Sequence, residues 1–413
     1  MTAPRVYRWN DRAVLGAVIA SLASGVAQFG VVAALGSVAR TFGHLSHGAT
    51  IADQAGLSGT KLGAGLAIIR LASLGGLPLA ALADRLGRRR ALLVTVAIGL
   101  ALTALAAASP GYWWFVVIFA CGRPLLSATN ALAEVIAAEQ TDSSGRAKAL
   151  ALVSAGYGLG AGFTAVIHSL TTHTLGFRGL FLLTAVPLVL LPLIARWTQE
   201  PDRFAVARAS RVRSRFILGA VEHRFRAHLL LLVSIAFALS FITGPANSLI
   251  FLDAQNVVHL SGVVTAAMVV GAGATGLAGL LVGRWMADHV GRRLTGAIGM
   301  VGLGLSGVLA YAGSKPALVA GYVLGVMFGS LFAPAGGAII NELFPTTVRA
   351  TAAGWFLAAG VLGAVSGLLA FGAIADVGNR FAIAADITFL PAIAVAALFW
   401  FLPETRGREL TDT

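Results

Sequence analysis

The sequence predicts an all-α polytopic membrane protein with twelve transmembrane helices arranged in two pseudo-symmetric six-helix halves. The chain has 413 residues, of which 57% are hydrophobic and only 11% charged, and it contains 50 Gly. This composition excludes an ordinary water-soluble globule. Long apolar stretches recur along the whole chain, and the charged pattern around Asp84 recurs 204 residues later around Asp288. A repeat of that length fits a duplicated six-helix unit rather than a solenoid.

Each predicted helix is a mostly apolar stretch that is long enough to cross the ~30 Å hydrocarbon core of a bilayer. Because no water reaches the backbone at that depth, each stretch must satisfy its own hydrogen bonds, and a helix does so. The first stretch has a basic start like a signal peptide, but it continues past residue 35 without a break at a cleavage site, so we expect it to be retained. In order, the expected spans are approximately 13–36, 61–83, 91–109, 112–138, 147–170, 177–196, 227–252, 261–287, 294–313, 316–341, 350–375 and 381–402.

The basic residues lie mostly on one side of the predicted spans. Of the 30 Lys and Arg residues, 23 fall in the termini and in the loops that follow the even-numbered spans, five fall in the other loops, and Arg70 and Arg123 fall inside spans. This bias predicts that the first set of loops and both termini face the cytoplasm. The net charge of +13 therefore indicates membrane orientation and contact with anionic lipid, and we expect no nucleic-acid partner.

Three charged landmarks recur in the same order in the two halves. The Asp-Gly-Arg-Arg pattern of the second span's loop is the first, a Glu followed seven positions later by Arg is the second, and a Glu after the sixth and twelfth spans is the third. Residues 197–226 separate the repeats and are rich in Arg. We therefore expect an N-terminal half at 1–196, a cytoplasmic linker at 197–226 and a C-terminal half at 227–413.

These motifs resemble those of the major facilitator superfamily over essentially the whole chain. The loop after the second span carries the resemblance in Leu82, Ala83, Asp84, Arg85, Gly87, Arg88 and Arg89, and the closing "PETRG" at 403–407 is most similar to the sugar-porter and metabolite–proton symporter branches. The resemblance implies a transporter that works by alternating access. Because such a carrier must hold its cytoplasmic side closed in one state only, we expect the repeated charges to form a gate network of charge-assisted hydrogen bonds. Its members are Asp84, Gly87, Arg88, Arg89, Glu139, Arg146, Asp288, Gly291, Arg292, Arg293, Glu342, Arg349, Glu200 and Glu404.

Charged groups inside spans mark the candidate substrate cavity, since each costs several kcal/mol unless it is paired or hydrated. Arg70 and Arg123 are the two cations, while the first span contains no acid. Arginine in a Gly-Arg step of the fourth helix is familiar in the superfamily and implies a cavity-facing position for Arg123. Structural alternatives are snorkelling for Arg70 and a carbonyl-bonded packing role for Arg123. Further candidate hydrogen-bonding groups of the cavity are Gln28, Asn130, Tyr157 and Asn247.

Glu134 is the carboxylate that we single out inside a span as a candidate for proton coupling. Desolvation would favour its neutral form and make it a titrating group. Pairing with Arg146 in the gate network is an equally good interpretation of this residue.

Other patterns indicate less. Gly271, Gly273 and Gly276 have dinucleotide-binding spacing but lie within a predicted span, so close helix packing explains them better. His44 and His47 lack further ligands nearby, so we expect no metal and no cofactor, with the proton as a candidate coupling ion. The fifth span has Gly160-Ala161 where drug exporters of the superfamily carry Gly-Pro.

The sequence therefore predicts a secondary transporter, not an enzyme, that moves a small polar or anionic organic solute by alternating access. The alternative is a multidrug efflux antiporter for hydrophobic compounds. We expect a monomeric multi-pass protein of the cytoplasmic membrane, with the bilayer and the solute as its partners.

Overall fold

The computed structural model describes residues 8, 9, 11–142, 145–172, 174–200 and 223–406, except for the side chains at 84, 85, 346, 347 and 350. The described residues contain twelve helices that are long and apolar enough to cross a membrane. We number them α1 Arg12–Phe42, α2 Gly59–Ala83, α3 Arg88–Ala108, α4 Tyr112–Gln140, α5 Arg146–Thr171, α6 Gly176–Trp197, α7 His223–Val257, α8 Gly262–His289, α9 Arg292–Ala310, α10 Lys315–Leu343, α11 Thr351–Gly378 and α12 Phe381–Phe401.

The predicted fold class and the twelve predicted spans are confirmed. Most bounds agree within three residues, with larger differences at two helices that extend beyond their apolar stretches. Helix α1 continues to Phe42, and α7 continues from its expected end at 252 to Val257 because a π-helical turn, Asp253–Val257, follows its last α-helical segment.

The chain forms two compact units, which we call unit 1 (residues 1–38 and 68–214) and unit 2 (residues 39–67 and 215–413). Residues 39–67 precede the expected linker in sequence but belong to unit 2, and the expected division into halves at 1–196 and 227–413 stays a prediction. Residues 201–222 of the expected linker lie outside the described residues, so the boundary at 197–226 stays a prediction.

Unit 1 is held together by close approach between helices with small residues. A Cβ on Gly160 of α5 would lie 2.2 Å from the backbone oxygen of Leu22 in α1, and one on Gly25 would lie 2.2 Å from the backbone oxygen of Tyr157. Because glycine has no Cβ, two helices that meet at glycines can approach this closely. The close approach increases van der Waals packing, an important attraction between helices in a bilayer. The α1–α5 contact thereby fixes the position of Tyr157 along α5 relative to Gly25 of α1.

Unit 2 uses the same device between α8 and α10. A Cβ on Gly279 or Gly283 would lie 2.2 or 2.3 Å from the backbone oxygens of Met327 and Leu331 in α10. The expectation that the glycines from 271 to 276 serve helix packing is right only for Gly276, because Gly271 and Gly273 have no neighbouring atom within 4 Å of a built Cβ.

Candidate functional site

A cluster of two cations and a phenol lies inside unit 1. Arg70 of α2, Arg123 of α4 and Tyr157 of α5 are close enough to interact electrostatically with one another. Two glycines bring α2 onto α4 at this level, since built Cβ atoms on Gly75 and Gly76 would lie 3.1 and 2.8 Å from the side chains of Pro124 and Ser127. The structure thus brings together three residues that the sequence predicts for the cavity.

Neither guanidinium of the cluster has an acidic partner in the described part of the chain. Within the described residues Arg70 and Arg123 form no ion pair, and Nε of Arg123 is buried without a hydrogen-bond partner. Arg70 is exposed and Arg123 is half-buried. Because arginine keeps its proton in proteins, the cluster carries two positive charges whose mutual repulsion an anion would relieve.

Asn130 adds an unused acceptor on the same helix as Arg123. Its Oδ1 is buried without a hydrogen-bond partner among the described residues. Seven residues separate the two positions, so Asn130 lies two turns, or ~10 Å, along one face of α4 from Arg123.

The other predicted cavity residues lie elsewhere. Gln28 is only 4% exposed, and its Nε2 donates to Ser24 Oγ at 2.7 Å and to the backbone oxygen of Leu126 at 3.2 Å. Its amide nitrogen therefore serves the contact between α1 and α4. Asn247 of unit 2 is exposed.

Glu134 is exposed near the end of α4 and makes no ion pair among the described residues. No ion pair joins Glu134 to Arg146 within the part of the chain that the structure describes, and Nε of Arg146 donates to the backbone oxygen of Ala138 at 3.0 Å. A proton-coupling role for Glu134 stays a prediction.

The charged motif of unit 1 forms a compact arrangement that we call the unit 1 clasp, made of Arg88, Arg89, Glu139 and Glu200. The Glu200 carboxylate accepts hydrogen bonds from the backbone N–H groups of Arg88 and Arg89 at 2.6 and 3.0 Å. The Arg89 side chain donates back to the backbone oxygens of Thr198 and Ala195 at 2.8 and 2.6 Å. Arg88 forms an ion pair with Glu139, so the clasp joins the ends of α3, α4 and α6.

Unit 2 repeats the arrangement in the unit 2 clasp, made of Arg292, Arg293, Glu342 and Glu404. Glu404 accepts from the backbone N–H groups of Arg292 and Arg293 at 2.9 and 3.2 Å. The Arg293 side chain donates to the backbone oxygens at the end of α12, and Arg292 pairs with Glu342 at 3.3 Å. Arg292 also pairs with Asp288 at 2.8 Å.

Two glycines make room for the clasp carboxylates. Gly87 and Gly291 have φ values of +99° and +128°, which side-chain-bearing residues rarely adopt. A Cβ at Gly291 would lie 2.7 Å from Glu404 Oε2, and one at Gly87 would lie 3.2 Å from Glu200 Oε2.

Three predicted members of the gate network, Asp84, Arg146 and Arg349, are not part of either clasp as defined above. The Asp84 side chain lies outside the described residues. Arg146 and Arg349 donate through Nε to backbone oxygens, of Ala138 at 3.0 Å and of Phe344 at 3.3 Å. A switching role for any of these groups stays a prediction.

Sequence reasoning missed three carboxylates within the spans. Asp376, near the end of α11, accepts hydrogen bonds from the backbone N–H groups of Gly59 and Thr60. Asp253 is buried in the π-helical turn of α7, beyond the expected end of that span. Asp386 lies inside the expected twelfth span and is exposed in α12. Asp386 could have been found from the sequence alone, because it lies inside an apolar stretch. The burial of Asp253 depends on tertiary contacts and is not visible in the sequence.

Comparison with known proteins gives consistent matches along the chain. The family model of the Major Facilitator Superfamily matches residues 13–286 and 274–412. The chain is 30% identical over 348 residues to the 3-(3-hydroxy-phenyl)propionate transporter of Escherichia coli (strain K12), covering 80% of this chain and 81% of that protein. It is 26% identical over 364 residues to the "Probable 4-methylmuconolactone transporter" of Cupriavidus pinatubonensis, covering 85% and 84%.

The fold is also that of a solved transporter. The crystal structure of a D-xylose-proton symporter superposes with a TM-score of 0.73 at 18% identity and covers 97% of this chain and 99% of that one. Together with the twelve apolar helices, these matches make the chain a multi-pass membrane transporter and not an enzyme. The protein belongs to the major facilitator superfamily.

Proposed function

We propose that the protein transports small organic anions, and specifically carboxylates, by alternating access. The observation that carries the proposal is the cluster of Arg70, Arg123 and Tyr157, in which two permanent cations have no acidic partner among the described residues. A carboxylate between them would supply the missing negative charge.

The chemistry of the cluster favours a carboxylate over a neutral solute or a cation. A guanidinium presents a planar set of donors that matches both oxygens of a carboxylate. Tyr157 can donate a hydrogen bond to the same group or stack on an apolar solute, and the amide of Asn130 can contact a more distant hydroxyl. A lipophilic cation would instead add a third positive charge to a site of low dielectric constant, which opposes the multidrug alternative.

The relatives support the same class of substrate. The Escherichia coli relative is named for a propionate, which is a carboxylate with a phenolic ring. We infer that an aromatic or similarly apolar carboxylate of that size is the first solute to test.

We further propose that the protein is a monomer of the cytoplasmic membrane. The bias of its basic residues supports an orientation with both termini in the cytoplasm. Coupling to protons would let a negatively charged solute cross without a net movement of negative charge.

The direct test is an uptake screen in proteoliposomes. Radiolabelled 3-(3-hydroxyphenyl)propionate, its neutral amide, xylose and a lipophilic cationic dye would be compared with and without an imposed pH gradient. We expect saturable uptake of the carboxylate that the amide does not compete, and no uptake of the dye. Robust transport of the dye together with indifference to carboxylates would favour the multidrug alternative, and xylose uptake alone would favour a sugar carrier.

A further inference from the structure

Unit 2 contains a buried carboxylate, Asp253, within its described residues. Asp253 begins the π-helical turn Asp253–Val257 at the end of α7 and is only 2% exposed. Its Oδ2 is buried and has no hydrogen-bond partner among the described residues. Single π-helical turns inside α-helices are frequent at functional sites.

The surroundings of Asp253 do not stabilise a negative charge. Among the described residues, titratable groups near Asp253 include Tyr311, which interacts with it electrostatically. Tyr322 packs its ring edge-to-face against Phe251, Asp53 lies on the short helix Ile51–Ala55 that contacts the turn, and the exposed His259 follows the turn in sequence. The hydroxyl of Tyr311 donates to the backbone oxygens of Pro245 and Ala246, at 3.1 and 3.3 Å, so its proton is not directed at Asp253. Asp53 is already bonded to Ser46 and Thr50.

A buried carboxylate without a cation or donor is unstable when ionised, because the lost hydration is not replaced. Among the described residues no Lys or Arg pairs with Asp253. The neutral acid, with its proton on one carboxyl oxygen, is therefore the form that this packing accommodates.

The same π-helical turn holds a segment that we call the latch, residues 51–60. Asn256 Nδ2 donates to the backbone oxygen of Ala55 at 2.9 Å. At the other end of the latch, Asp376 of α11 accepts from the backbone N–H groups of Gly59 and Thr60 at 2.6 and 2.9 Å. The helix Ile51–Ala55 within the latch packs against the turn that contains the buried Asp253.

We propose that Asp253 is a proton-binding site whose neutral form holds the latch closed and whose ionisation opens it. On opening, the O–H bond of the carboxyl group breaks, its electron pair stays on the oxygen, and the proton passes to water. Since two states that differ in proton binding are linked to pH, low pH favours the closed latch and high pH favours the open one. The proposal deepens the proton coupling suggested under the proposed function, and it supplies the group that would carry the proton.

The experiment measures opening of the latch without any transported solute, so its outcome does not depend on the identity of the substrate. Leu57, which is 7% exposed, is replaced by Cys in a Cys121→Ala background, and the purified protein is reacted with a maleimide from about pH 5 to about pH 9, a range that covers buried carboxyl groups. Leu45→Cys is the matched exposed control, because Leu45 is 48% exposed and its rate records the intrinsic effect of pH on the thiol. The quantity compared is the rate at position 57 divided by that at position 45.

We expect this ratio to rise about tenfold or more with pH in the otherwise unchanged protein and to stay low and flat in Asp253→Asn. Asp376→Asn should raise the ratio at every pH by weakening the latch itself, and Asp386→Asn, an exposed carboxylate of the same unit, should leave the rise intact. Asp253→Ser is a second neutral variant for use if Asp253→Asn fails to fold. A flat ratio in the unsubstituted protein, or an unchanged rise in the Asn or Ser variant, would overturn the proposal.

Discussion

The carboxylate of Glu200 accepts a hydrogen bond from the backbone N–H of Arg88, with 2.6 Å between Oε1 and the nitrogen. Glu404 makes the equivalent bond to Arg292 at 2.9 Å, and in both units the two residues are 112 positions apart. The first N–H groups of a helix have no partner within it and carry the positive end of its dipole. Each carboxylate therefore stabilises the start of the unit's third helix from the end of its sixth.

Replacing Glu404 by Gln should lower the thermal stability of the protein, by up to about 1 kcal/mol for a carboxylate at a helix start. Burial acts to raise the pKa of Glu404, but the backbone N–H donors of Arg292, Arg293, Arg406 and Thr405 outweigh it and hold the pKa below its ordinary value of 4.5. As pH falls, the unfolded chain binds this proton first. The stabilisation is thus complete above the ordinary pKa and is lost through the lower folded value.

The measurement is the difference in melting temperature between the unsubstituted protein and Glu404→Gln as a function of pH. We expect a constant difference near neutral pH that shrinks in acid. A difference that persists unchanged below about pH 3 would show that the amide disturbs packing rather than the charge.

The contact between α1 and α5 should tolerate no added methyl group. Gly160→Ala places a Cβ 2.2 Å from the backbone oxygen of Leu22, and overpacking of this kind costs about 1–3 kcal/mol. Gly158→Ala is the matched control on the same helix, because no atom lies within 4 Å of its Cβ. Melting temperatures in one detergent should fall for Gly160→Ala only, and equal values for the two variants would contradict this packing.

The sequence analysis succeeded where the signal is local. Apolar length set the twelve spans. A charge inside an apolar stretch singled out Arg70 and Arg123, whose role in a substrate cavity stays a prediction. It was less informative for Gln28, whose amide serves a helix contact, because cavity-facing and helix-facing polar groups look alike in one sequence. Asp253 follows the apolar run of α7 and resembles a loop acid, and only the packing of Ile51–Ala55 reveals its burial.

Substitutions in the clasp motifs should lower the rate of transport more than they change the affinity for substrate. Glu139→Gln removes the charge that pairs with Arg88, and Asp84→Asn removes the motif acid of the same loop. If these groups stabilise one access state, each variant should express normally and bind solute with unchanged Kd while transporting several-fold more slowly. Wild-type transport rates in both variants would show that the gate assignment is wrong.

The orientation of the chain can be tested with single cysteines. In a Cys121→Ala background, Arg88→Cys and Arg211→Cys should resist an impermeant maleimide added to intact cells and react after the cells are opened. His47→Cys, in a loop predicted to face the other side, should react in both conditions. Labelling of residue 88 or 211 from outside would reverse the predicted topology.

Arg123→Gln should weaken binding of a carboxylate far more than binding of its neutral amide. A hydrogen bond to a charged group contributes about 1.5–3 kcal/mol, so the Kd for 3-(3-hydroxyphenyl)propionate should rise roughly 10- to 150-fold. The amide, which gains little from a full positive charge, should change by less than a factor of about three. Arg70→Gln should show the same selectivity with a smaller effect, because Arg70 is the more exposed of the two cations.

The control for this prediction is Arg40→Gln, which removes an arginine near the end of α1, outside the cluster of Arg70, Arg123 and Tyr157. Its Kd for both ligands should match that of the unsubstituted protein. Binding is measured by calorimetry on purified protein, so that a change in transport rate cannot mimic a change in affinity. Equal losses for the acid and the amide in Arg123→Gln would mean that Arg123 shapes the site without recognising charge. Full retention of carboxylate affinity would remove the basis for an organic-anion carrier and return the multidrug alternative to first place.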